Sequence, residues 1–151
     1  MNAHVSNIGG YPVGHFADYS AEERQITTCL RLWKNGARAQ ARLTREFIRI
    51  LGEPQGQMAA DALDQFTVLL SEYGPRALTF HAVMCDCVGT DESLLVKLIT
   101  EATKGAREDA LRLSMVIIRP DMAPYAVQSA RRYGVAMKRF SLLAHQHSHR
   151  G

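Results

Sequence analysis

SAEERQITTCLRLWKNGARAQARLTREFIRIL, Ser20 to Leu51, is the stretch on which the reading of the fold turns. Ser20 and Glu23 stand three residues apart ahead of an apolar run. That is the spacing of a capping box, in which the serine hydroxyl accepts from the third helical N–H and the glutamate reaches back to the cap. With successive residues about 100° apart, Ile26, Cys29, Leu30, Trp33, Ala37, Ala41, Phe47, Ile48 and Leu51 fall on one face. Asn35-Gly36 interrupts the segment, but the apolar face keeps its phase across it. One long helix over residues 20–51 is the expectation.

Helical periods continue outward from there. Gly52-Glu-Pro54 ends the first helix and opens a second over 55–73, with Met58, Ala62, Phe66, Leu69 and Leu70 inward. Gly74-Pro75 reads as a C-terminal glycine followed by a proline suited to a first helical turn, opening a short third helix to Val83 or Cys85. Thr90-Asp-Glu caps a fourth helix over 91–104, which Gly105 ends. A fifth, 106–119, carries Ala110, Leu113, Val116 and Ile117 inward and stops at Pro120. The last opens at Met122-Ala-Pro124, and Gly134 divides it from a continuation over 135–145. Residues 1–19, with Gly9-Gly10, Pro12 and Gly14, read as an irregular N-terminal arm, and residues 146–151 as a frayed His-containing tail. No alternating strand pattern is found. The predicted fold is all-α: a compact bundle of about five or six helices with a long first helix, forming a single domain over 20–145.

Composition agrees. A chain of 151 residues with 46% hydrophobic and 22% charged residues is ordinary for one globular domain. No window approaches the roughly 18 uninterrupted apolar residues of a membrane helix, and no basic stretch followed by an apolar run opens the chain. Three cysteines do not make a disulfide framework, so reduced thiols and a cytoplasmic protein are expected.

The net charge of +3 conceals an uneven distribution. Residues 1–52 hold seven Lys/Arg against four Asp/Glu, residues 53–121 six against eleven, and residues 122–151 five against none. On a continuous first helix Arg24, Arg31, Lys34, Arg38, Arg42, Arg45 and Arg49 occupy a sector of about 80°, opposite the apolar face. Like charges at i,i+4 repel by a few tenths of a kcal/mol, and the pairs 34/38, 38/42 and 45/49 all do so. Two explanations compete. The acidic middle of this chain or of a second subunit lies against the stripe, or the guanidinium row grips phosphates.

YAVQSARRYGVAMKRFSLL, Tyr125 to Leu143, resembles in its spacing the core of a helix-turn-helix. Ala130 would allow a close crossing, Gly134 would take the turn, and Val135, Phe140 and Leu143 would seat the second helix. That resemblance implies that Met137, Lys138, Arg139 and Ser141 face outward, with Arg131 and Arg132 near backbone phosphates. Ser129 and Ala136 depart from the usual apolar and cap residues, and a helical hairpin would give the same spacing. If nucleic acid is the partner, this segment and the first stripe should share a face.

HAVMCDCVGTDE, His81 to Glu92, holds the densest set of metal-ligating and nucleophilic side chains. On a helix His81 and Cys85 share a face, and Cys87 could supply a third ligand, with zinc as the candidate metal. The alternatives are redox sensing through the thiols or plain packing at a helix junction. The paired acids Asp91/Glu92 and Glu108/Asp109 are accounted for by first-turn dipole interactions. The His145-x-His147-x-His149 tail is a weaker metal candidate. No phosphate-cradling glycine loop or hydrolase motif is present, which points away from an enzyme. The sequence therefore predicts a small helical regulatory or adaptor protein with a basic surface and a possible nucleic-acid partner. A His81/Cys85/Cys87 metal sensor and a homodimeric interaction module are the alternatives.

Overall fold

The computed structural model describes residues 8–150. Six helices, α1 (Ala21–Trp33), α2 (Ala37–Leu51), α3 (Gln55–Tyr73), α4 (Thr90–Lys104), α5 (Arg107–Ser114) and α6 (Ala123–Arg150), form the bundle, as its composition and periods predict. Two short strands, β1 (Pro12–His15) and β2 (Cys87–Gly89), pair antiparallel beside it, with Pro12 opposite Gly89 and His15 opposite Cys87.

The capping box forms. Glu23 N–H donates to the Ser20 hydroxyl at 3.1 Å, and Ser20 N–H donates to the Glu23 carboxylate at 2.9 Å. The long first helix does not. Gly36 sits at φ +101°, a conformation that side chains disfavour, and it separates α1 from α2. The Gln40 amide spans the break, donating to the Trp33 carbonyl at 2.9 Å. With the helices separate, Leu43, Phe47, Ile50 and Leu51 face inward from α2, while Ala37 and Ala41 are exposed.

α6 is the central element, packed against α3 and α4 and touching α1, α2 and α5. Phe140 meets Phe47 of α2 edge to face at 5.1 Å, and Tyr133 stacks on Phe66 of α3 at 6.5 Å. The Tyr133 hydroxyl, buried at this crossing, donates to the Ile26 carbonyl at 3.0 Å. Gly134 does not divide the helix. It is a crossing point: a Cβ there would lie 1.8 Å from Thr103 Oγ1 and 3.0 Å from Ile99 Cγ2 of α4. A helix-turn-helix is therefore absent from 125–143, and Met137, which that reading placed outward, is fully buried. α6 continues to Arg150, so the tail is helical over 146–150, and Gly151 lies outside the described residues.

Three other boundaries differ from expectation. Residues 74–86 form neither helix nor strand. The fifth helix stops at Ser114, and Val116 is exposed while Ile117 and Ile118 turn inward. The arm carries β1 and two short 3₁₀ turns, Ile8–Gly10 and Phe16–Asp18, and its residues 1–7 lie outside the described part.

Gly56 marks the closest approach of α3 to α2. A Cβ there would lie 2.4 Å from Ile48 Cα and 2.7 Å from the Phe47 carbonyl carbon, both backbone atoms that cannot swing away. Gly56→Ala should cost about 1–3 kcal/mol, the usual range for overpacking, read as a lowered urea midpoint with the helical circular dichroism retained.

Candidate functional site

Two regions hold the residues singled out in the sequence: the junction around residues 74–92, and the outer face of α2.

At the junction the organising group is Arg31. Its side chain is buried, and Glu92 beside it is equally so. Nε donates to Glu92 Oε2 at 2.6 Å and Nη2 to Oε1 at 3.0 Å. Nη1 donates to the carbonyls of Cys85 at 3.0 Å and Val83 at 3.4 Å, and Nη2 to that of Cys87 at 2.7 Å. All five guanidinium protons are thereby accounted for. The ring of Phe16 covers the group at 5.4 Å. Glu92 in turn accepts from the backbone N–H of Gly89 at 3.0 Å and of His81 at 3.2 Å.

Its neighbour Asp91 is only 1% exposed in its side chain and forms a two-pronged pair with Arg76, at 2.6 and 2.8 Å. It also accepts from Thr79 N–H at 2.8 Å. Burial raises the Asp91 pKa, but the Arg76 guanidinium and the Thr79 N–H outweigh it and hold the carboxyl below its ordinary value. These contacts explain why the predicted third helix is missing. The N–H groups of Thr79 and His81 and the carbonyls of Val83, Cys85 and Cys87 bond to side chains from α1 and α4, and the bond from Cys85 N–H to the Ala82 carbonyl closes only a single turn. They also correct the dipole account of Asp91 and Glu92, which are buried anchors of this loop. Among the described residues no buried side-chain nitrogen or oxygen lacks a partner.

On this frame sit His81 and Cys85. His81 Nε2 lies 2.7 Å from the Gly10 carbonyl, which can only accept, so Nε2 carries a proton. In the neutral ring Nδ1 is then the acceptor, and it faces Cys85 Sγ at 3.3 Å. Burial disfavours the charged imidazole, but Cys85, the Gly10 carbonyl and Glu92 together hold its pKa above the ordinary value. The Cys85 pKa is lowered, first by the His81 hydrogen bond and then by the Cys87 N–H, with Arg31 adding positive potential. Cys87 enters through its backbone N–H and carbonyl. Among the described residues no three His, Cys, Asp or Glu side chains converge to hold a metal ion. The fold thus joins two members of the sequence's candidate metal triad as a contacting pair, without a zinc shell around them.

The stripe divides. Arg31 turns inward to the acidic middle of the chain, whereas Lys34, Arg38, Arg42, Arg45 and Arg49 are all exposed. Arg49 pairs with Glu46 on its own helix at 2.6 Å, and no ion pair engages Arg38, Arg42 or Arg45 among the described residues. Arg131, Arg132, Lys138 and Arg139 are exposed on α6. Arg131 lines a cleft with Gly105, Arg107 and Tyr125, at the α4–α5 end. It lies nine residues from Phe140, half a turn out of phase with the contact through which α6 meets α2. Arg131 therefore projects away from the side of α6 that meets α2.

The sequence reading missed Arg31 as an anchor because it lies opposite the apolar face of α1, on a side that the distant loop through Val83, Cys85 and Cys87 covers. The available signal was the acidic pair Asp91-Glu92 in a segment with a strong acidic excess. Comparison with protein-family models, with curated proteins and with solved structures finds no match.

Arg31→Met should destabilise the fold by about 3–5 kcal/mol, because it strands a buried carboxylate and leaves three carbonyls unpaired. Arg31→Lys should fail to rescue it, having too few donors in the wrong geometry, as measured by urea unfolding. Asp91 adds a pH signature. Its folded pKa is depressed, so its stabilisation is present above the unfolded value of about 3.9 and is lost as pH falls through the folded value. Urea midpoints measured from pH 6 to pH 2.5 should fall more steeply for the natural protein than for Asp91→Asn.

Proposed function

We propose that this protein is a small helical regulatory or adaptor module that binds the phosphate backbone of a nucleic acid through the outer face of α2. The observation that supports the reading is the row Arg38, Arg42, Arg45 and Arg49. All four are exposed, within about 60° of one another around the helix and spread over roughly 16 Å of its length. Three of them have no carboxylate partner among the described residues.

A face kept only for solubility gains nothing from repeated like charges at i,i+4, which oppose the helix that carries them. Phosphates arrayed along a strand relieve that repulsion and suit the forked geometry of guanidinium. Between the arginines the face presents Ala41 rather than amide side chains that would read base edges. The reading assigns these arginines to backbone phosphates, which position the protein without strong sequence preference. Lys34, exposed just past the end of α1, precedes the Gly36 turn and is not counted in this row. The basic residues of α6 are not required.

Anisotropy titrations of a labelled 20-base-pair duplex test this. Engagement of four guanidiniums should give a slope of log K against log salt of about −3 to −4. Arg38→Glu/Arg42→Glu/Arg45→Glu should abolish binding, and Arg131→Glu should leave it unchanged. Binding that is insensitive to salt, or that survives the triple substitution, would overturn the reading.

A further inference from the structure

The nucleic-acid reading does not use the His81–Cys85 pair. We propose that Cys85 is a nucleophilic thiol and a site of modification by small hydroperoxides, with the imidazole of His81 as its base. The geometry carries this in three parts. The Gly10 carbonyl, 2.7 Å from Nε2, fixes the tautomer and leaves the Nδ1 lone pair for the thiol at 3.3 Å. This is the arrangement of a nucleophile, a base and a third group that orients the base. The Cys87 N–H and the Arg31 guanidinium, which itself holds the Cys85 carbonyl at 3.0 Å, supply positive potential to a thiolate. Cys85 is also half-buried between exposed Met84 and exposed Asp86, so a small reagent reaches the sulfur while its partners stay fixed.

The groups facing the thiol come from three elements: His81 from its own loop, Arg31 from α1, and Glu92 from α4 behind the imidazole. Glu92 is occupied by Arg31, so the local field at the sulfur favours negative charge. Cys29 offers the contrast within one chain. It is buried in the core, and burial pushes its pKa up to about 12.

The step balances as follows. The S–H proton passes to His81 Nδ1, and the thiolate attacks one peroxide oxygen. An S–O bond forms to the terminal oxygen as the O–O bond breaks, and the departing hydroxide or alkoxide takes the proton from the imidazolium and leaves as water or an alcohol. The sulfur is oxidised to a sulfenic acid and the peroxide is reduced.

The test treats the full chain with hydrogen peroxide in the presence of dimedone and locates the adduct by peptide mass spectrometry. It then measures the pH dependence of iodoacetamide labelling. Dimedone should fall on Cys85, with Cys29 unlabelled in the folded protein. The labelling profile should have its midpoint below the value of about 8.5 for a free cysteine. His81→Gln should move that midpoint back up and slow labelling several-fold near neutrality, with circular dichroism confirming the fold. A midpoint of the ordinary value in the natural protein, an adduct on Cys87 ahead of Cys85, or a His81→Gln protein that labels as fast would each overturn the proposal. The midpoint of the natural protein decides the matter even if His81→Gln fails to fold.

Discussion

The ion pair between Arg31 and Glu92 is the contact on which the non-helical segment between α3 and α4 depends. Removing two charges from water costs several kcal/mol per ion, and their attraction offsets that only when the remaining hydrogen-bonding capacity is filled. Here it is filled completely on the arginine, by two carboxylate bonds and three carbonyls. The same carboxylate receives two backbone N–H groups. A segment without regular secondary structure would otherwise bury orphaned amides. This one is given partners by side chains from two helices. Strand β2, the docking of the arm through Gly10, and the orientation of His81 all follow from where that loop is held.

Local signals in the sequence proved reliable where the helix end is made by the chain itself. The capping box at Ser20 and the glycine after Lys104 act within one turn, and the elements they bound lie close to where they were expected, whereas the helix expected to run up to Pro120 stops at Ser114. Failures arose where a residue's role depends on a distant partner. Gly36 and Gly134 look alike in sequence, yet the first bends the chain at positive φ and the second lets two helices touch. Periodicity cannot separate these uses, because an apolar face that resumes near its old phase looks continuous. Pro75 was a sound first-turn residue for a helix that never forms, because Asp91, Glu92 and Arg31 take its hydrogen bonds. The candidate site was legible to the same degree. His81 and Cys85 were paired correctly by spacing, though not by the helix that the spacing implied, while Cys87 contributes its backbone.

One short helix carries both halves of the charge pattern. Arg31 and Lys34 are three residues apart, and the former is buried against the acidic middle while the latter is exposed just before the Gly36 turn. Had the helix run on without the turn at Gly36, Leu43 and Phe47 could not have reached α6 in their present register, since α2 presents its own inner face from a new axis. The turn thus sets the axis along which the arginines of α2 are presented, while Arg31, upstream of it, is held by the loop and Glu92.

The hydrogen bonds of Arg31 also set an order of events. They join groups 52 to 61 positions apart along the chain, whereas the caps and helical bonds around them close over three or four. Local contacts form early and distant ones must wait for loop closure. Residues 74–89 have no helix of their own to nucleate, so they acquire shape only after α1 and α4 are built and docked. The thiol–imidazole pair, mounted on that segment, is consequently among the last parts of the molecule to exist during folding, and among the first to be lost in a local opening that leaves the bundle intact.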